Sequence, residues 1–424
     1  MFDLILEITP AYIRAEPLGS PYVVPDDRPW LHYLNRRGQP WISNFEAEVF
    51  KHLQAQNITM VRLAAAFGVV ATLLATGVLA HPGGDHAASK AQLRNRALEL
   101  EEDARLLSAC LEKHKRNGLH KKNIERRAAT MASIRKARGI DTNMPILKRS
   151  YTEGDHSHTS VTSTEEMFGN SNAACILASD AMIGPYFVDG ELIRQDITNN
   201  EQGIKMDVDL QIIDVATCNP VPNMYVDFWQ SNSTGIYSGV VAQGNGNARD
   251  QRNWNTTMGR AVYPSDAKGI VHFTTLFPGH YTGRTIHIHV LTHEGGSRLP
   301  NNTFKGGYAS HIGQIYFDQN LIYQVERNPP YNTNRQPLTT NGQDFILQQQ
   351  LRQSRWSPLM EYSLVGTDIR QGLLSWITLA INRNRRFAVT PAAYWTEKGG
   401  VPARRIAGNG PRSEEEVEEA EEAV

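Results

Sequence analysis

The chain has 424 residues, with 43 Lys and Arg against 44 Asp and Glu, 40% hydrophobic residues and 3 cysteines. These values are close to the average for soluble globular proteins, and they exclude a collagen-like, a disulfide-framework or a wholly disordered chain. The net charge of −1 creates no overall field that would attract nucleic acid or an anionic membrane. Neither is therefore predicted as a partner.

The only long apolar run, LAAAFGVVATLLATGVL, occupies residues 63–79. A basic residue precedes it, and small residues and a turn-forming HPGG sequence follow it, which is the pattern of a secretory signal peptide over residues 60–80. Because a signal peptide begins a chain, we predict that translation starts at Met60 and that residues 1–59 are a gene-model extension. The alternative is a signal-anchor helix, since the run is nearly long enough to span a bilayer. Cleavage would give a secreted, extracellular protein without a membrane anchor.

Two helices are predicted within residues 81–150. Apolar residues recur at steps of three and four over residues 93–111 and again over residues 124–134, and Gly118 separates the two runs. This pattern predicts a helical hairpin. The dibasic pair at residues 148–149 leaves open that the hairpin is a propeptide removed by cleavage.

The rest of the chain changes character three times. Residues 151–172 are rich in Ser, Thr and His and are predicted as a linker. Residues 173–385 consist of short alternating segments separated by Gly, Pro and Asn, which predicts a mainly β domain with an antiparallel β-sandwich core. Residues 386–424 are predicted as a tail, and its acidic end over residues 412–424 as disordered.

Within the β domain, alternation of apolar and polar residues predicts individual strands. We expect them at residues 205–215, 224–229, 271–277, 284–291 and 313–317.

The cysteines and sequons fit an oxidising compartment. Three cysteines allow three pairings, and we predict that Cys175 pairs with Cys218, which leaves Cys110 unpaired. Three sequons are candidates for N-glycosylation: Asn232, Asn255 and Asn301.

The segment FPGHYTGRTIHIHV, residues 277–290, contains the clearest chemical signal. Residues two apart on a strand project to the same face, so His287 and His289 can bind one metal ion without ordering a loop. Tyr281 lies on the Gly-rich turn that leads into this strand. An isolated H-x-H pair is more often ordinary histidine than a metal site, and three nearby histidines without a supporting pattern are taken as structural: His272, His280 and His293.

Two further segments occur together with this one: IGPYFVDGELIRQDI at residues 183–197 and WQSNSTGIYSG at residues 229–239. With a GPY-type segment, a W-Q-x-N-x-x-G-x-Y-S segment, and a P-x-x-Y turn followed by R-x-x-H-x-H, the chain resembles the intradiol ring-cleavage dioxygenase family. It is most similar to the secreted fungal branch of that family. The resemblance covers about half of the chain, roughly residues 173–385.

The resemblance implies a mononuclear non-haem Fe(III) centre with four protein ligands: Tyr237, Tyr281, His287 and His289. Two tyrosinates are hard anionic donors that favour Fe(III) over Fe(II), and two imidazoles leave an open position for a substrate. No Asp or Glu stands in a matching position beside the histidines, which argues against a ferrous 2-His-1-carboxylate site.

The resemblance also implies the reaction and the residues around the metal. The substrate would be a catechol-type ring that is cleaved with O₂ between its two hydroxylated carbons to give a muconate-type diacid. Tyr281 would be the displaceable ligand and Arg284 would stabilise developing negative charge, with Gln314 orienting a substrate or a ligand. Pro185 and Tyr186 would approach the substrate ring. In some members the N-terminal helices mediate dimerisation, so a homodimer is expected if the hairpin is retained.

Two other functions remain open at this stage. The sandwich could be a secreted binding module with a vestigial, metal-free site, although the four intact ligand positions oppose this hypothesis. A copper site at His81 would require a partner histidine that no sequence pattern identifies.

Overall fold

A computed structural model of the protein describes residues 90–144, 146–149, 158–161, 163–170, 173–177, 183–242, 244–354, 356–396 and 399–403. The predicted gene-model extension, the signal peptide and the acidic end of the tail lie outside these residues. None of the helices in the described ranges is long and apolar enough to cross a membrane.

The helices are α1 (Lys90–Arg116), α2 (Leu119–Ala137), α3 (Thr164–Phe168), α4 (Gln319–Glu326) and α5 (Phe345–Gln353). The strands are β1 (Ile146–Arg149), β2 (His158–Val161), β3 (Ala174–Ile176), β4 (Val188–Asp189), β5 (Lys205–Asp214), β6 (Tyr225–Trp229), β7 (Arg260–Pro264), β8 (Ile270–Leu276), β9 (His287–Glu294), β10 (Ser297–Arg298), β11 (Phe304–Lys305), β12 (Tyr308–Tyr316), β13 (Glu361–Leu364), β14 (Leu373–Ile381), β15 (Ala393–Thr396) and β16 (Gly399–Pro402). Short 3₁₀ helices lie at Gln251–Asn255, Tyr331–Thr333 and Ile369–Gln371. The predicted mainly β class with an N-terminal helical pair is confirmed.

Two sheets form the sandwich. The first sheet has the strand order β12-β9-β6-β7, and all its neighbours are antiparallel. The second has the order β13-β14-β5-β8, with β3 also paired to β14. Because β14 runs parallel to both β5 and β3, this sheet is mixed and departs from the predicted antiparallel pairing. The chain between β5 and β14 is long enough for the crossover that parallel pairing requires.

The main hydrophobic core contains alternate residues of the strands in both sheets. On β9, the side chains of Ile288 and Val290 are fully buried in this core. Successive strand residues point to opposite faces, so His287 and His289 lie on the other face of the first sheet. Burial of one such aliphatic side chain stabilises the fold by about 1.5–3 kcal/mol. The core contacts of β9 therefore fix the register that presents both histidines on one face.

The predicted helical hairpin is formed by α1 and α2, and α2 packs on β5 of the second sheet. Asn123 Nδ2 donates to Gln211 Oε1 at 2.7 Å, and Arg127 Nε lies 3.7 Å from Asp209 Oδ1. Burial lowers the pKa of Arg127 to about 10, although the Asp209 carboxylate acts in the opposite direction. These buried polar contacts join the hairpin to the sandwich within one chain.

The disulfide differs from the predicted one. Cys218, in the turn after β5, is bonded to Cys110 on α1, and Cys175 is a free, buried thiol. The prediction was wrong because Cys175 lies on β3, where its side chain is part of the main core. Burial raises the pKa of the Cys175 thiol to about 12, so this cysteine is an inert core residue. The actual bond attaches the hairpin covalently to the β domain.

This pairing predicts the result of peptide mapping. A non-reduced digest should contain one linked peptide pair with Cys110 and Cys218, and Cys175 should be alkylated only after unfolding. Replacement of both bonded cysteines by Ser should lower the free energy of unfolding by about 2–5 kcal/mol, since the bond closes a loop of 108 residues. A linked pair with Cys175 and Cys218 would overturn the assignment.

Several predicted boundaries also change. The segment predicted as a linker contains β2 and α3, and the segment predicted as a tail contains the β15–β16 hairpin, where β15 pairs with β4. Helices α4 and α5 lie inside the region that was expected to hold only strands. Both are short, and each begins at an aspartate that caps it, Asp318 for α4 and Asp344 for α5.

Candidate metal centre

Three segments bring the predicted ligands to one place on the outer face of the first sheet. His287 and His289 lie at the start of β9. Tyr237 follows β6 in the loop toward β7, and Tyr281 lies in the connection between β8 and β9. The sheet therefore supplies two rigid ligand positions, and the two loops supply the tyrosines.

Close packing of the two loops sets the positions of the tyrosines. Gly279 N donates to Asn232 O at 2.9 Å, and Ser231 Oγ donates to Gly279 O at 2.8 Å. A Cβ on Gly235 would lie 2.0 Å from His280 O, so only glycine permits this approach. The hydrogen bonds hold the two tyrosine-bearing segments together, and the glycines permit their close approach.

The four donor atoms converge. His287 Nε2 lies 3.1 Å from His289 Nε2, 3.3 Å from Tyr281 Oη and 3.4 Å from Tyr237 Oη. Two ligands at about 2.0–2.1 Å from one ion, at angles between the octahedral and tetrahedral values, are separated by about 2.8–3.4 Å. The spacing of the donor atoms therefore fits a single first-row metal ion.

Without a bound cation, burial favours the protonated form of both tyrosines. Burial raises the pKa of Tyr237 well above its ordinary value, and negative charge on Tyr281 raises it further. Burial also raises the pKa of Tyr281, although the nearby Arg284 guanidinium acts against this. A bound multivalent cation reverses this preference and stabilises both phenolates. The donor set of two tyrosines and two imidazoles fits Fe(III), which prefers hard anionic oxygen ligands.

Neighbouring groups orient the imidazoles. His287 Nδ1 is 2.6 Å from Thr285 O, so the ring donates its proton through Nδ1 and presents the unprotonated Nε2 to the centre. The ring of Trp229 stacks on His289, with centroids 4.7 Å apart and planes at 6°. A virtual Cβ on Gly184, at φ 81°, would lie 3.3 Å from His289 Cε1. This glycine lets the GPY segment approach the histidine closely.

Arg284 lies beside the centre in a buried polar network. Its Nη2 donates to Gln314 Oε1 at 2.5 Å and to Tyr316 Oη at 3.3 Å, and its Nε donates to Asp344 Oδ2 at 2.8 Å. Burial alone would lower the pKa of Arg284, but negative charge on Tyr281, Tyr316 and Asp344 raises it. The guanidinium therefore stays positively charged, and its hydrogen bonds fix it next to Tyr281.

Gln314 and Tyr316 reach this network through strand pairing. On β12 they are paired with His289 and His287 of β9, respectively. Tyr316 Oη donates to Gln314 Oε1 at 2.7 Å. Gln314 accepts hydrogen bonds from Arg284 and Tyr316, and its role in orienting a substrate or a ligand stays a prediction. Tyr316 was not identified from the sequence.

The GPY segment forms one wall of the site. Tyr186 stacks on Tyr237 with ring centroids 4.7 Å apart and meets Tyr281 edge-on at 6.3 Å. Tyr186 is buried, and Pro185 beside it is half-buried. Two of the predicted ligands therefore contact the tyrosine that was predicted to approach a substrate ring.

Arg260 on β7 supports this wall and was not predicted. It donates from Nη2 to Tyr186 O at 2.6 Å and from Nε to Ser238 O at 2.8 Å, and its guanidinium lies 5.9 Å from the ring centroid of Tyr237. Its Nη1 is 3.6 Å from Glu191 Oε1. Burial raises the pKa of Glu191 to about 8, against the effect of the Arg260 charge. This buried pair connects the GPY segment to the Tyr237 loop.

The remaining histidines contact other protein groups. His280 binds Glu326 Oε1 at 2.9 Å through Nδ1, while His272 lies 3.4 Å from Asp207 and His293 lies 3.5 Å from Asp227. Within the described ranges no group of three or more His, Cys, Asp or Glu side chains is arranged to hold a metal ion. A metal site at His287 and His289 accordingly depends on Tyr237 and Tyr281 as further ligands.

The three sequons differ in exposure and contacts. Asn255 and Asn301 are exposed, whereas Asn232 is half-buried and accepts backbone hydrogen bonds from Thr234 and Ile236 at 3.0 Å. Glycosylation at the three positions stays a prediction.

These features define a class of protein, a β-sandwich with a four-donor centre of two tyrosines and two histidines. Residues 182–322 match the family model Dioxygenase_C, described as dioxygenase. A search of curated proteins finds no match.

Solved structures of dioxygenases also match. The intradiol ring-cleavage dioxygenase from Tetranychus urticae is 28% identical, with 50% of this chain and 98% of that chain covered and a TM-score of 0.41. A second crystallised dioxygenase is 30% identical over the same shares, 50% and 98%, with a TM-score of 0.39. The dioxygenase domain of a carbohydrate-binding fusion protein from Streptomyces sp. SirexAA-E is 21% identical over 48% and 96%, with a TM-score of 0.31.

The family match and the sequence identity over nearly the whole length of the first two relatives identify the chain. It belongs to the intradiol ring-cleavage dioxygenase family.

Proposed function

We propose that the protein is a secreted non-haem Fe(III) dioxygenase that cleaves catechol-type rings between the two hydroxylated carbons. The observation that carries this proposal is the convergence of four donor atoms. His289 Nε2 and the hydroxyl oxygens of Tyr237 and Tyr281 all lie 3.1–3.4 Å from His287 Nε2. These four side chains would hold the ion. When bound there, Fe(III) supplies chelation of both catechol oxygens and a path for electron donation from the ring to O₂.

Tyr281 is the residue suited to move a proton. It is half-buried and lies on a loop, whereas Tyr237 is only 1% exposed and has Tyr186 stacked on its ring. Tyr281 is thus the ligand that can leave the centre with less disturbance of packing. Its Oη then accepts one proton from the catechol, and burial favours the protonated phenol.

Arg284 and the GPY segment orient the substrate. The Arg284 guanidinium is held beside Tyr281 and stabilises negative charge on the ring as the bond between the hydroxylated carbons is broken. Tyr186, with Pro185 before it, covers the side of the centre next to Tyr237 and limits access of water. The overall reaction adds both atoms of O₂ to the catechol and produces a diacid with no other product.

Oxygen labelling tests the reaction. Iron-loaded protein incubated with catechol under ¹⁸O₂ should give a muconate-type diacid with one labelled oxygen in each new carboxyl group. An extradiol product, a quinone or unlabelled diacid would contradict the proposal. If the protein neither retains iron nor converts catechol, the binding-module hypothesis becomes the better account.

The proposed location is extracellular. It is supported by the signal-like segment at residues 60–80 and by a disulfide between Cys110 and Cys218, because such bonds persist in oxidising compartments. N-terminal sequencing of protein from the culture medium should begin at His81. Recovery of a chain that begins at Met1, or of an uncleaved membrane-bound form, would contradict secretion with cleavage.

A further inference from the structure

Asp344 is a buried carboxylate that no sequence motif identifies. It is connected to the centre by hydrogen bonds from Arg284 and Thr285. Its side chain is fully buried. Oδ2 accepts hydrogen bonds from Arg284 Nε and from Thr285 N, both at 2.8 Å. The same oxygen therefore holds the arginine side chain and the backbone of the next residue.

The backbone contact extends to a predicted metal ligand. The Thr285 N–H is held by Asp344, and the Thr285 carbonyl lies 2.6 Å from His287 Nδ1. The position of Thr285 thus influences the orientation of the His287 ring, while the carboxylate fixes the guanidinium directly. Interactions of this kind at the outside of a metal site commonly change metal affinity or activity by about 10–100-fold.

Asp344 also has an ordinary structural contact, which provides a comparison. Its Oδ1 accepts from Leu347 N at 2.9 Å and caps α5. Asp318 caps α4 in the same way, through Leu321 N at 3.0 Å. Both aspartates are N-caps, but Asp344 uses its second oxygen on Arg284 and Thr285. Arg284 donates its hydrogen bonds to Asp344, Gln314 and Tyr316, so Asp318 is an N-cap at which the same substitution can be made without removing a contact to Arg284.

We propose that Asp344 is a positioning residue that holds Arg284 in place for ring cleavage. The inference rests on the proposed dioxygenase function, because Arg284 acts on a bound catechol. Asp344 itself does not touch the substrate. Its carboxylate balances the guanidinium charge and restricts the side chain to the conformation that also donates to Gln314.

Two substitutions separate the charge from the cap. Asp344→Asn keeps an oxygen for the Leu347 N–H but places an amide donor against the Arg284 and Thr285 donors. Asp344→Ser retains a good N-cap residue but is too short to reach Arg284. In both iron-loaded variants, kcat for catechol should fall about 10- to 100-fold, which corresponds to one lost charge-assisted hydrogen bond. Asp318→Asn and Asp318→Ser make the same two changes at a cap that does not bond to Arg284, and each should change kcat less than about twofold.

A double-mutant cycle shows whether Asp344 acts through Arg284. In an Arg284→Met background, Asp344→Asn should cause little further loss of kcat, since the side chain that it positions is already absent. If the two losses multiply, Asp344 does not act through Arg284, and if both Asp344 variants keep the wild-type kcat, Asp344 is only a cap. Either result would show that the inference is wrong.

A second readout does not depend on iron or turnover. In metal-free protein with ¹⁵N-labelled arginine, the Nε–H signal of Arg284, assigned with Arg284→Lys, should exchange slowly with solvent. The signal should be lost or exchange faster in Asp344→Asn and should persist in Asp318→Asn. Wild-type exchange in Asp344→Asn would overturn the positioning role. If the wild-type protein itself does not cleave catechol, the proposed function fails, while the exchange data still decide whether Asp344 holds Arg284.

Discussion

His287→Ala is expected to remove the iron and to abolish ring cleavage. The other three donor atoms lie 3.1, 3.3 and 3.4 Å from His287 Nε2. Removal of this imidazole therefore leaves the centre without one of its four donors. We expect iron affinity to fall by more than about 100-fold, since loss of a neighbouring group outside the ligand set alone costs about 10–100-fold. Iron content after purification and kcat with catechol measure the two effects.

The fold should survive this change. Ile288 packs in the main core, and the His287 side chain lies on the opposite face of β9. His272→Ala on β8 is a matched control, because His272 is a strand histidine of the second sheet whose partner is Asp207. The control should keep its iron and kcat. Full iron content and turnover in His287→Ala would show that the centre is not the metal site.

Tyr281→Phe is expected to have a different effect, with much of the iron retained but turnover lost. The substitution removes one donor oxygen and keeps a ring that can still pack edge-on against Tyr186. Without this hydroxyl no side chain accepts the catechol proton, and such acid–base groups contribute about 10²–10⁴-fold to rate. We therefore expect kcat to fall by about 100-fold or more, measured at saturating catechol with iron content determined in the same sample.

The control for this variant is Tyr263→Phe. Tyr263 lies on β7 and packs against the main core instead of the centre. It should retain its iron and turnover. A wild-type kcat in Tyr281→Phe would contradict the assignment of the displaceable, proton-accepting ligand.

Local patterns predicted those parts of the fold that depend on near neighbours. Alternation on β9 predicted that His287 and His289 share a face, and the structure places their Nε2 atoms 3.1 Å apart. The two periodic helical runs predicted the hairpin for the same reason, since one apolar stripe is visible within each segment. The role of these residues as iron ligands stays a prediction until metal is measured.

Long-range contacts could not be predicted in this way. Asp344 and Arg284 are 60 residues apart in the chain, and the cap pattern of α5 gives no sign of the ion pair. The disulfide was assigned to the wrong cysteine because nothing in the sequence tells that Cys175 points into the core. Strand β14 was also missed, because it is buried along its whole length and its sequence, LLSWITLAI, does not alternate between apolar and polar residues.

The most direct test of the iron dioxygenase assignment is the visible absorption spectrum of purified protein with iron quantified, before and after anaerobic addition of catechol. We predict a tyrosinate-to-Fe(III) charge-transfer band that shifts to longer wavelength when catechol binds. This result would identify the metal, its tyrosine ligands and the substrate class together. A protein that stays colourless after reconstitution with Fe(III) would contradict the account and would leave the sandwich as a binding module with a vestigial site.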